Sequence, residues 1–274
     1  MRAAPFLFSI LLLFCALSVN GCADMDSFLF NTEKLDRYHP PLSIDSLLEP
    51  FTIVSGGHTL YAYRMRSNGA RPGLCILYLH GNKHHMDEYW DRVEMLGMLG
   101  GEVVTFDYRG FGMSEGESSE AGLREDAEQA LASIRARGLS DDSIVVYGFS
   151  LGCYPAIHLA GSVLKPRALV IEAPFASATS LVQGGAVLDF PERWLTDGLY
   201  DNRSGISKVT APVLLLHGLD DDFVRFRDNG RIVFEAAREP KRLVTVAGAV
   251  HDNVPSTYGA AAYLELVGNW IDQR

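Results

Sequence analysis

Short apolar runs alternating with longer helical segments predict an α/β fold, an open and mostly parallel sheet with helices on both faces. Three observations carry this reading. The runs are nearly continuous in Val, Ile and Leu, as strands buried on both faces must be. The segments between them have helical length. Finally, Gly148-Phe149-Ser150-Leu151-Gly152 follows the run Ile144-Val145-Val146-Tyr147 and opens a small-residue helix. That strand, tight turn, helix order is the context in which a G-x-S-x-G pattern presents an exposed serine hydroxyl. At 274 residues and 47% hydrophobic, the chain can bury the core that such a sheet needs.

The elements follow in order. Residues 22–49 read as an irregular arm with a stiff break at Pro40-Pro41. Strand-like runs occupy 50–54, 59–65, 74–79, 102–106, 143–147, 168–172, 212–216 and 243–246. The first two flank Gly56-Gly57 and predict an antiparallel hairpin. Helical segments at 85–99, 118–137, 151–162, 225–238 and 257–272 separate most of the others. The Ser150 turn therefore falls after the fifth of eight strands. One connection joins Pro174 to Pro212, with apolar stretches at Leu181–Leu188 and Trp194–Tyr200. It has room for one or two helices beside the site, so no large cap domain is expected.

Charge and spacing narrow the chemistry. A formal net charge of −10 disfavours nucleic acid and anionic membrane surfaces as partners. The chain has no internal repeat and no Cys/His spacing of the metal-binding kind, so neither a metal nor an organic cofactor is expected. A serine hydroxyl needs a base within hydrogen-bond reach and a third group to orient that base. Ser150 is the candidate nucleophile. His251, after the last strand run, is the candidate base. The orienting acid belongs at the end of the seventh run, where Asp220, Asp221 and Asp222 all stand; Glu172, at the end of the sixth, is an alternative. The backbone N–H of Leu151 is one expected donor to the oxyanion of a tetrahedral intermediate.

Five landmarks in order make the chain resemble the α/β-hydrolases over residues 50–272. They are His80-Gly81-Asn82, Asp107-Tyr108-Arg109-Gly110-Phe111-Gly112, the Ser150 turn, His217-Gly218-Leu219-Asp220-Asp221 and Gly248-Ala249-Val250-His251. The branch it looks most like is the lid-poor serine hydrolases that include protein depalmitoylases and bacterial relatives. That resemblance implies Asp221 as the acid, counted from His217-Gly218, and the backbone N–H of Asn82 as the second oxyanion donor. It also implies that His80 and Asp107 are structural, and that Arg109 pairs with a carboxylate. The other histidines, His84, His85, His158 and His217, read as surface, helix-face or turn residues. Phe149, Phe175, Phe223 and Trp194 read as core packing more readily than as an acyl pocket. The implied substrate is a small acyl ester or thioester. A peptidase of the same fold, or a non-catalytic binding protein of the cell envelope, are the alternatives.

The N-terminus has its own logic. Arg2 precedes the apolar run Phe6–Val19, which is short for a membrane span and suits a signal peptide over residues 1–21. Val19-Asn20-Gly21-Cys22 resembles a bacterial lipobox, which implies a lipid on Cys22 and a membrane-anchored protein of the cell envelope, at the outer membrane in a Gram-negative host. Plain secretion, or a periplasmic protein, is the alternative. The catalytic domain is expected over 50–274. Cys75 and Cys153 read as buried small hydrophobes, not as a disulfide.

Overall fold

The computed structural model describes residues 30–67, 69–185 and 199–273. The expected leader 1–21, Cys22, the start of the arm and Trp194 lie outside them. The architecture is an eight-stranded sheet in the order β1-β2-β4-β3-β5-β6-β7-β8. The strands are β1 (Leu48–Ser55), β2 (His58–Met65), β3 (Cys75–Leu79), β4 (Glu102–Phe106), β5 (Ile144–Phe149), β6 (Ala168–Glu172), β7 (Val213–Gly218) and β8 (Lys241–Val246). β1 and β2 form an antiparallel hairpin, β2 joins β4 antiparallel, and all remaining pairings are parallel. Gly56 and Gly57 both take positive φ, 55° and 83°, as the two-residue hairpin turn requires.

The sequence explains the layering. Successive strand side chains point to opposite faces, so the unbroken apolar run of β3 feeds two cores. Cys75, Leu77 and Leu79 enter one; Ile76 and Tyr78 enter the other. The helices numbered in order are α1 (Leu42–Asp45), α2 (Trp90–Gly97), α3 (Glu120–Arg135), α4 (Cys153–His158), α5 (Ala178–Gly185), α6 (Asn202–Ile206), α7 (Gly230–Ala236), α8 (Val254–Tyr258) and α9 (Ala260–Asp272). The first core is covered by α3 and α4, the second by α2 and α9. In α3 the buried set Leu123, Ala127, Ala130, Leu131 and Ile134 follows helical spacing, and the Ser119 side chain accepts from the Gly122 N–H to cap its start.

Boundaries differ from the sequence reading where polar residues hide the periodicity. β1 starts inside the expected arm because Leu48 and Glu49 pair with Met65 and Arg64. The 85–99 segment splits into a tight turn, Met86–Tyr89, and α2. The last helical segment splits at Gly259, whose φ of 94° breaks α8 from α9. Part of the arm is laid along the body: Thr32 pairs with His84 and Lys34 with Gly112. Cys75 and Cys153 are buried and free. Among the described residues no helix is long and apolar enough to cross a membrane.

Candidate active site

Ser150 directly follows β5, near the middle of the sheet, and starts the turn into α4. Its φ of 51° lies in the left-handed region that a non-glycine residue enters only under strain. The glycines on either side permit it. A Cβ on Gly152 would lie 2.0 Å from the Leu79 carbonyl oxygen, and one on Gly148 would lie 2.6 Å from that of Gly152. The helix can therefore begin directly against the ends of β3 and β5.

Asp221 and His251 come from the ends of β7 and β8. Asp221 Oδ1 accepts from the backbone N–H groups of Phe223 and Val224 at 3.0 and 2.7 Å, which fixes the carboxylate plane. Its Oδ2 lies 2.8 Å from His251 Nδ1, and His251 Nε2 lies 2.9 Å from Ser150 Oγ. A carboxylate oxygen only accepts, so Nδ1 carries the proton and Nε2 of the neutral ring is left to accept from the serine hydroxyl. The two loops are also tied to each other, since Leu219 N–H donates to Val246 and Asp220 N–H to Ala249. Asp220 and Asp222 are exposed, whereas Asp221 is buried. The structure thus gathers the three residues singled out in the sequence and leaves Asp220 and Asp222 out of the hydrogen-bonded row, although Asp222 lines the cleft beside it.

Glu172, the alternative acid, does not reach His251, whose Nδ1 is met by Asp221. It is fully buried at the end of β6, and Arg92 of α2, itself 5% exposed, donates to its Oε2 at 2.6 Å. The hydroxyls of Tyr147 and Tyr263 meet the same oxygen. Burial alone would lower the Arg92 pKa, but Glu172, together with Tyr78 and Tyr147, offsets this and holds it well above its ordinary value. Arg92 also donates to the Asp252 carbonyl at 2.8 Å, and its guanidinium lies 4.1 Å from the centroid of the Phe149 ring. One cation therefore touches the residue after His251 and the residue before Ser150. The sequence reading missed it, although an Arg on the apolar face of α2, between Trp90 and Val93, was a usable signal.

The remaining candidates divide. Asp107 is buried and structural: it accepts from Tyr38 at 2.6 Å and from the Met86 N–H at 2.7 Å, and lies 3.1 Å from His80 Nε2. Arg109 pairs with Asp126 and Glu125 of α3. His158 pairs with Glu128. His217 and His85 are buried, not surface residues. Burial pushes the His217 imidazole down, and its Nε2 donates to the Val224 carbonyl at 2.7 Å, bracing the turn that holds Asp221. Three of the four aromatics read as packing also line the site. Phe149 and Phe223 lie 5.3 and 5.1 Å from the His251 ring, and Phe175 lines the pocket behind Ser150.

Two cavities meet at Ser150. One, of about 620 Å³, is open and of mixed character; it runs past His251 and is flanked by Asn31, Glu88, Asp91 and Asp252. The other holds about 40 Å³, is mainly apolar, and is lined by Leu151, Phe175, Ala178, Leu181, Tyr200 and Val224. Asn82 and Leu151 both face this second space.

Comparisons with known proteins agree with this fold. The family model described as serine aminopeptidase, S33, matches residues 70–202. Human alpha/beta hydrolase domain-containing protein 17B is 30% identical over 201 residues, 73% of this chain and 66% of that protein. The uncharacterized protein YfhR of Escherichia coli O157:H7 is 30% identical over 204 residues, 72% of this chain and 69% of that one. Among solved structures, the Pyrococcus furiosus esterase Pf2001 superposes with a TM-score of 0.73 at 17% identity, covering 92% of this chain and 99% of its own. Est1E from Butyrivibrio proteoclasticus, solved with ferulic acid bound, superposes at 0.65 with 20% identity, covering 81% and 100%.

The buried ion pair yields a stability prediction. Arg92→Met should cost about 3–5 kcal/mol, because Glu172 and the Asp252 carbonyl lose their cation in a dry interior. Adding Glu172→Leu should restore part of that loss. Urea denaturation of both single variants and the double checks it, and strictly additive losses would show that the two charges do not interact.

Proposed function

Since the chain belongs to the α/β-hydrolase family, we propose that it is a serine hydrolase that cleaves carboxylic esters or thioesters through an acyl-enzyme on Ser150. The observation that carries this is the unbroken row Asp221 Oδ2, His251 Nδ1, His251 Nε2, Ser150 Oγ. Ser150 Oγ attacks the carbonyl carbon while His251 Nε2 takes its proton. Asp221 holds the imidazole in the required tautomer and stabilises the imidazolium. The backbone N–H groups of Leu151 and Asn82 receive the oxyanion. His251 returns the proton to the departing alcohol or thiol, and water then repeats the cycle to release the acid.

The position of the base assigns the two cavities. The leaving group must sit where His251 can protonate it, which is the larger open cleft. The acyl chain then enters the apolar pocket on the far side of Ser150. A volume of about 40 Å³ accommodates roughly three water-sized groups, so a short acyl chain fits best. The resemblance to depalmitoylases pulls toward long thioesters, which would need an apolar trough for many methylenes at ~0.8 kcal/mol each.

A second reading has its own support. The matching family model is described as a serine aminopeptidase, and the cleft on the leaving-group side carries Glu88 and Asp91. Turnover of aminoacyl arylamides well above that of simple esters would favour it.

A lipid on Cys22 would fix the enzyme to the envelope membrane. Mass spectrometry of the protein from its native envelope should find an N-terminus at Cys22 with diacylglyceryl mass. A free thiol or an uncleaved Met1 would refute the anchor.

Ser150→Ala should abolish labelling by a fluorophosphonate probe without unfolding the protein, and should lower kcat on the order of 10³-fold or more. Asp221→Asn should also collapse kcat, while Asp220→Asn and Asp222→Asn retain most of it. Labelling that survives Ser150→Ala would remove the serine from the mechanism.

Across nitrophenyl esters from acetate to palmitate, kcat/KM should peak at roughly four carbons or fewer. Phe175→Ala should move the peak to longer chains. A steady rise to palmitate in the unmodified protein would instead mark a long-chain thioesterase or lipase.

A further inference from the structure

Glu33, His84 and His85 each place one ligating atom within 4.8 Å of those of the other two. Glu33 lies on the N-terminal arm, and the two histidines lie on the loop after β3, so the group assembles only when arm and loop meet. They do meet. The His84 N–H donates to the Asn31 carbonyl at 2.8 Å, and the Glu33 N–H donates to the His84 carbonyl at 3.2 Å. His84 takes a left-handed φ of 52° in the process. Its Nδ1 contacts Glu33 Oε2 directly.

An ion pair accounts for Glu33 and His84 but not for His85. That imidazole is 7% exposed, and its Nδ1 has no hydrogen-bond partner among the described residues. A buried ring nitrogen left unsatisfied is costly unless something else binds there.

We propose that Glu33, His84 and His85 form a binding site for a divalent transition-metal cation of the zinc class. Two imidazoles and one carboxylate suit such a cation and disfavour magnesium or calcium, which prefer oxygen donors. Tetrahedral zinc at about 2.0–2.2 Å from its N and O ligands spaces them roughly 3.3 Å apart. Glu33 and His84, already in direct contact, would need to part slightly, while the donors farthest apart would need to close by about 1.5 Å at most. Three protein ligands leave a fourth position for water.

No Cys/His spacing announces this site, because the third ligand stands 51 positions before His84. An ion there would clamp the arm to the loop that carries Asn82. Asn31 and Asn82 both line the open cleft, so the clamp would stiffen one wall of it. This site is independent of the serine chemistry, and its test does not read activity.

The full chain, stripped with chelator, is titrated with zinc chloride by calorimetry and followed in thermal unfolding. One equivalent should bind. At a hundredfold excess over Kd the melting temperature should rise by roughly 5 °C or more, and magnesium chloride should leave it unchanged. Glu33→Gln alters an exposed side chain and should fold like the parent in chelator, yet weaken zinc binding by about tenfold or more. The double variant Glu33→Gln/His84→Gln should lose the site. Equal zinc affinity in the parent and the double variant, or an equal shift with magnesium, overturns the proposal.

Discussion

The close approach of α4 to the end of β3 is the constraint on which the site depends. Gly152 stands where any side chain would collide with the backbone of Leu79 and His80. That contact lets the chain reverse within the turn, forces Ser150 into its left-handed conformation, and sets Leu151 on the same pocket as Asn82. The strain at Ser150 persists because both flanks are pinned, β5 by its neighbours β3 and β6 and α4 by the core it covers. The serine is thus presented by rigid elements, while Asp221 and His251 arrive on loops that must be held by other means.

Those means are polar and buried. Asp221 is locked by two backbone donors and braced through His217 and Val224. The His251 loop is tied through Asp220 and Leu219 on one side and through Arg92 on the other. Arg92 has no reaction to perform; it joins α2, β6 and the loop beyond β8 through a single guanidinium. Burying that charge with Glu172 adds little net stability, but it admits few alternative arrangements. A site assembled from three separate strand ends gains from such a fixed junction.

Much of this was legible in the sequence, and the reasons are specific. The central strands were readable because burial on both faces makes them unbroken apolar runs. Ser150 was readable because a strained turn needs small neighbours at fixed offsets. Asp221 was harder: three aspartates in a row look alike, and only the count from His217-Gly218 separated them. Burial is the physical difference, and it depends on how the chain folds back at Val224. Glu172 and Arg92 were opaque as a pair because they lie 80 positions apart and each alone resembles a misplaced surface charge. Glu33, His84 and His85 escaped for the same reason. The start of β1 was missed because Glu49 pairs with Arg64 across an exposed edge, where alternation is weak.

The path of the arm has a geometric consequence. Its first described residue, Phe30, packs in the core against Phe111 and Tyr200, and Asn31 stands at the mouth of the open cleft. The described chain thus begins beside the open cleft. A lipid at Cys22 would leave a leash of about eight residues, no more than roughly 30 Å when taut. On so short a leash the cleft could not turn freely in the surrounding space. It would patrol a thin shell above the bilayer, and molecules seated in or near that surface would meet it at a far higher local concentration than those in the bulk.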